Sequence, residues 1–124
     1  MKHMVKILCL GNEFIEGDAL AKEVGKLLSK KHKITNVKDS FQLMTLLNEI
    51  QTNQLIIIDI VKKLKKAQII KVKDIRNDSI LSAHDFDAGY VLKLIGKEFK
   101  IIGIPSNGNS KEIYKEVLEL ITVK

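Results

Sequence analysis

Asp18, Asp59 and His84 are the residues of this chain whose types could do chemistry together. Two carboxylates and an imidazole suit zinc, nickel or a similar divalent transition ion. Both donor types bind such ions, and three protein ligands leave coordination positions open for exchange or reaction. Each residue also has a plain structural explanation. Asp18 can cap a helix against the positive end of its dipole. Asp59 can be a solvated strand terminus or turn former, and His84 can be a loop residue beside a capping arrangement of Ser82 and Asp85. Spacing alone does not separate the two readings; whether the fold brings the three together does.

Other chemistries lack their residues. Gly11-Asn12 and Gly17 do not make a Gly-x-Gly-x-x-Gly fingerprint, and no Walker-type Gly-Lys-Ser/Thr occurs, so a nucleotide site has little support. There is no Gly-x-Ser-x-Gly elbow. The single cysteine, Cys9, lies inside the apolar run Val5 to Leu10, where a buried inert thiol is the common outcome, and one cysteine excludes an internal disulfide.

The elements that must position the three residues can be read from periodicity. Val5 to Leu10 predicts a buried strand ending at the Gly11-Asn12 turn. Ala19 to Lys31 predicts an amphipathic helix with Leu20, Val24, Leu27 and Leu28 on its apolar face. Lys33 to Lys38 predicts a short strand. Ser40 then opens a helix whose apolar face holds Leu43, Met44, Leu47 and Ile50. Leu55 to Ile58, with three consecutive isoleucines, predicts a strand covered on both faces that stops at Asp59. Gln68 to Ile75 alternates Ile70 and Val72 with Lys71 and Lys73, the pattern of a half-exposed strand near an edge. The lysine-rich connection before it is too short for a helical crossover, so antiparallel pairing is expected. A helix carrying Val91, Leu94 and Ile95 leads to a strand at Phe99 to Ile104. Pro105 and Gly108 mark a turn before a last helix with Ile113, Val117, Leu120 and Ile121.

Strands alternating with helices predict an α/β fold: a three-layer αβα sandwich around a mainly parallel, twisted sheet of about five strands. In such sheets ligands bind outside the carboxyl ends of the strands, where adjacent connections leave towards opposite faces. Asp18 follows the first strand, Asp59 ends the third, and the Ser82-Ala83-His84-Asp85 loop could reach the same edge.

Composition sets the wider bounds. The 124 residues fit one domain spanning 1–124, and 45% hydrophobic with 29% charged residues is the balance of a folded globular protein. No apolar stretch approaches the roughly 20 residues that span a bilayer, and the apolar run at the start is too short for a secretory signal, so a cytoplasmic protein with no membrane partner is expected. The net charge of +6 would attract anionic partners. Yet Arg76 is the only arginine, and the clusters Lys30-Lys31 with Lys33 and Lys62-Lys63 with Lys65-Lys66 contain no interleaved aromatics. Without the guanidinium fork or stacking rings, nucleic acid is disfavoured and the lysines are read as solvated faces.

The order of these motifs resembles the nickel-iron hydrogenase maturation endopeptidases. Ile7 to Leu10 followed by Gly11-Asn12-Glu13-Phe14-Ile15-Glu16-Gly17-Asp18 is similar to that family's opening strand, Gly-Asn turn and acidic pair. The strand ending at Asp59 resembles the segment supplying a second carboxylate, Ser82-Ala83-His84-Asp85 looks like the histidine motif, and Ile101-Ile102-Gly103-Ile104-Pro105 resembles the closing strand and turn. The likeness spans almost the whole chain in the same order.

The resemblance implies a metal-dependent endopeptidase that removes the carboxy-terminal extension of a hydrogenase large-subunit precursor after nickel insertion. Asp18, Asp59 and His84 would be its metal-contacting catalytic residues. It implies nickel presented by the substrate, with zinc or another divalent transition metal able to substitute. The chain departs from the pattern at Gly17, where the family has the first acid of the pair, and at Ala19, where it has glycine. Those departures leave a second expectation, a noncatalytic metal-binding or hydrogenase-assembly module, and more remotely a basic domain for nucleic acid.

Overall fold

The computed structural model describes residues 6–10, 19–37, 40–49, 55–61, 64–70 and 100–122. In chain order these form β1 (Lys6–Leu10), α1 (Ala19–Ser29), β2 (Lys33–Val37), α2 (Ser40–Glu49), β3 (Leu55–Ile60), β4 (Gln68–Ile70), β5 (Lys100–Ile104) and α3 (Ser110–Thr122). The strands make one sheet in the order β2-β1-β3-β5-β4. β1, β2, β3 and β5 run parallel, and β4 pairs antiparallel to β5 at the edge, as the short connection before it requires.

Alternation along the strands sorts their side chains onto two cores, because successive residues point to opposite faces. Ile7 and Cys9 of β1, Ile56, Ile58 and Ile60 of β3, and Ile102 and Ile104 of β5 meet Ala21, Val24 and Leu28 of α1 together with Ile113 and Val117 of α3. Leu8, Leu10, Val37, Leu55, Ile57 and Ile101 face the other way and are covered by Leu43 and Leu47 of α2. Helices therefore lie on both faces of a mostly parallel sheet, the expected three layers. Central strands buried on both sides explain why β3 opens on the unbroken aliphatic run Leu55 to Ile58.

Two details differ from expectation. Met44 of α2 is 37% exposed, and the partly buried Leu46 packs with Leu43 and Leu47 instead. The helix is rotated so that positions spaced three and four apart from Leu43 meet the sheet. The second concerns β3, which does not stop at Asp59 but continues through Ile60, with Asp59 in register beside Gly103 of β5. The amide of Val61 extends the ladder by donating to the Ile104 carbonyl at 2.9 Å. The expected helix around Val91 to Ile95, and the part of the strand beyond Ile70, lie outside the described residues.

α3 is fastened at both ends by groups its own sequence lacks. The Glu112 amide donates to Asn109 Oδ1 at 3.1 Å, a side-chain cap on the first turn, and Gly108 makes the preceding turn with φ of 135°, a conformation that residues bearing a Cβ rarely adopt. The last turn carries no basic residue. Instead Lys100, at the start of β5, reaches across to donate from Nζ to the carbonyls of Leu120 at 2.9 Å and Ile121 at 3.2 Å. A cation at the negative end of the helix dipole satisfies carbonyls that have no partner within the helix.

Candidate functional site

The direction of the connections defines where a site belongs. From β1 the chain passes through α1, on one face, to β2 on one side; from β2 it returns through α2, on the opposite face, to β3 on the other side of β1. The carboxyl ends of β1 and β3 therefore flank a topological switch point, the crevice where open α/β sheets bind ligands.

Asp59 sits at that point. It is 0% exposed and, among the described residues, stands alone as a buried charged or polar residue beside a core of aliphatic side chains. By strand alternation it shares the α2 face with Leu55 and Ile57, one position beyond the Ile58 that pairs with Cys9 of β1. The reading of Asp59 as a solvated strand terminus is thus excluded. A carboxylate withdrawn from water is costly unless hydrogen bonds or a cation compensate.

The neighbour of Asp59 on β5 is Gly103. A Cβ there would run into the Ile70 side chain and come within 2.9 Å of Leu64 Cδ1. The missing side chain lets Ile70, from edge strand β4, and Leu64, from the β3–β4 connection, close over the sheet beside the carboxylate. That connection is tied down in turn, since the Ala67 amide donates to Glu116 Oε1 of α3 at 3.0 Å. Sequence reading singled out Asp59 but missed Gly103; a glycine inside an apolar strand signals close approach by another chain segment.

Asp18 and His84 lie outside the described residues, Asp18 immediately before Ala19, where α1 begins. Among the described residues no group of three His, Cys, Asp or Glu side chains gathers as a metal site; of the three expected ligands, these residues include Asp59 alone. Its oxygen donor, at the mouth of the switch point, fits the carboxylate share of a nickel or zinc ligand set.

Among the described residues, Cys9 and His32 also bear reactive groups. Cys9 is fully buried, and burial pushes its thiol up to about 12, so it is the inert core residue expected. His32, in the turn after α1, has its pKa lowered by partial burial and, second, by the neighbouring Lys31 charge.

No family model and no curated protein matches the sequence. The fold does have a match among solved structures: the NiFe hydrogenase maturation protease HybD from Thermococcus kodakarensis, with a TM-score of 0.52 and 23% identity, covering 95% of this chain and 94% of that one. A likeness of that extent at that identity is one of architecture, and the chain therefore has the αβα fold in which that protease is built.

Proposed function

We propose that this protein is an endopeptidase that removes the carboxy-terminal extension from a nickel-iron hydrogenase large-subunit precursor after nickel insertion. The observation that carries this reading is Asp59, a buried carboxylate at the switch point of a sheet with a maturation protease's fold. On this reading Asp18, Asp59 and His84 converge on the nickel that the precursor presents as part of the substrate, and three such donors leave positions open. Zinc or another divalent transition ion substitutes in binding. The ion supplies polarisation of the scissile carbonyl or of water. The protein's own residues orient the precursor, and the apolar closure over Gly103 keeps bulk water from the Asp59 side of the crevice.

The test is to incubate the purified protein with nickel-loaded precursor and follow loss of the extension by mass spectrometry. Cleavage at one bond is expected. An intact precursor, while a competent relative cleaves the same preparation, would sink the reading. Gly17, in place of the first acid of the family's pair, favours a second reading, an assembly module that binds the precursor without cutting it. That reading predicts co-purification with the precursor and no mass change.

A further inference from the structure

The amino edge of the sheet, remote from Asp59, holds a feature that proteolysis does not use. Lys6 begins β1 and Lys33 begins β2, and the two are paired in register. Both side chains are exposed, and they stand on the same sheet face about 5 Å apart, the spacing of neighbouring strands. Like charges so placed repel. Lys30 and Lys31, also exposed, occupy the turn that enters β2. Three backbone hydrogen bonds fix that turn, from Lys30 to Leu27, Lys31 to Leu28 and His32 to Leu28.

Two ordinary explanations cover only part of the set. Cations after the carboxyl end of α1 complement its dipole, which accounts for Lys30 and Lys31. A lysine on an edge strand discourages aggregation, which accounts for Lys33. Neither accounts for Lys6, which lies on an internal strand directly beside Lys33. On α1, its turn and these two strands stand Lys6, Lys22, Lys26, Lys30, Lys31 and Lys33 with Glu23 as the acid among them; α2 adds Glu49 at its end, and α3, packed against α1, adds Glu112, Glu116 and Glu119. Residues 1–5 and 50–54, which precede β1 and β3 in sequence, contain no Asp or Glu, and Glu98 precedes β5, which β3 separates from β1 in the sheet.

We propose that this edge is a docking surface on which Lys6, Lys30, Lys31 and Lys33 engage a carboxylate-rich segment of a partner protein. The inference stands apart from the proteolytic reading and does not depend on it. Charge complementarity selects an acidic occupant. Lysines act as separate hydrated point charges, without the planar fork that favours phosphate, and no aromatic side chain on β1, α1 or β2 offers a stacking platform for bases. Nor does the surface suit a membrane. The exposed large hydrophobics among the described residues, Phe41, Met44 and Ile69, all lie on other elements.

The experiment measures binding of a fluorescein-labelled polyglutamate peptide to the full chain by fluorescence anisotropy at about 50 and 200 mM salt, with labelled oligothymidylate as a second probe. Replacing Lys6, Lys30, Lys31 and Lys33 by glutamine should weaken polyglutamate binding about tenfold or more at the lower salt and flatten its salt dependence. The charge-matched replacement of Lys65, Lys66, Lys111 and Lys115 should change it less than about threefold. Thermal melts check the fold, and the double replacement of Lys30 and Lys31, confined to the exposed turn, serves if the quadruple variant does not fold. Equal losses in the two quadruple variants would reduce the effect to net charge and overturn the proposal. So would wild-type affinity in the first variant, or tighter binding of oligothymidylate than of polyglutamate.

Discussion

The two faces of the sheet are built from the same strands yet end differently. On the face covered by α1 and α3, β3 and β5 stay aliphatic to their carboxyl ends, with Ile58 and Ile60 beside Ile102 and Ile104. On the α2 face the same strands reach Asp59 and Gly103 one residue earlier. There a carboxyl group replaces a methyl-bearing side chain, and the glycine's place is taken by Leu64 and Ile70 from outside the central sheet. One face is optimised for burial. The other gives up apolar contact at the switch point.

The sharpest way to break this comparison is at Asp59. Asp59→Asn keeps the shape and removes the charge. Precursor processing should fall on the order of a hundredfold or more, since even groups that only support metal ligands cost about 10- to 100-fold when lost. The melting temperature should change little, because asparagine keeps the side-chain volume and one hydrogen-bonding oxygen at this position. A large drop in melting temperature with processing intact would make Asp59 a structural residue and remove the contrast between the faces.

The opposite face should answer in the opposite way. Ile58→Ala, in the core under α1 and α3, should destabilise by about 2–5 kcal/mol in denaturant unfolding, through lost burial and the cavity left behind. Gly103→Ala should have a smaller effect, about 1–3 kcal/mol, as Ile70 and Leu64 are pushed from the added methyl group. Because the displaced atoms sit beside Asp59, this variant should also lower processing more than its stability loss explains. Lys100→Met should lose about 1 kcal/mol by uncapping the last turn of α3, with faster amide exchange in that helix and little change at the site.

The smallest effect is a pH dependence at His32. Its pKa is lowered in the folded protein, first by burial and then by Lys31, so the unfolded chain takes up the proton more readily. Stability should therefore be unaffected by this group above its ordinary value of about 6.5 and be lost as the pH falls through it. Unfolding of wild type and His32→Gln between about pH 8 and 5 checks the sign; a wild-type chain that gains stability relative to the variant as pH falls would contradict the assignment.

Much of this architecture was legible in the chain because its signals are local. The isoleucine run of β3 and the four-residue spacing of Val24 and Leu28, or of Ile113 and Val117, name their elements from neighbouring residues alone. The edge position and antiparallel sense of β4 followed from alternating lysines and a connection too short for a crossover. The buried state of Cys9 followed from its apolar neighbours. Met44 was misplaced because a helix wheel leaves a turn of freedom that only packing against the sheet removes. Asp59 looked like the end of β3 because a charge after four aliphatic residues usually marks emergence into water, whereas the ladder with β5 carries the strand one residue further.

What the sequence determined by itself is therefore the set of elements, their alternation and the residue types able to bind a metal, since each depends on interactions within about one turn or one strand. The tertiary structure decided the rest: that the order β2-β1-β3-β5-β4 puts Asp59 at the switch point, that its carboxyl is withdrawn from water, that Gly103 is shaped by Ile70 and Leu64, and that Lys100 caps a helix 20 residues away. Each of these joins groups far apart in the chain. Burial and register belong to the packed sheet as a whole, and no short stretch of sequence carries them.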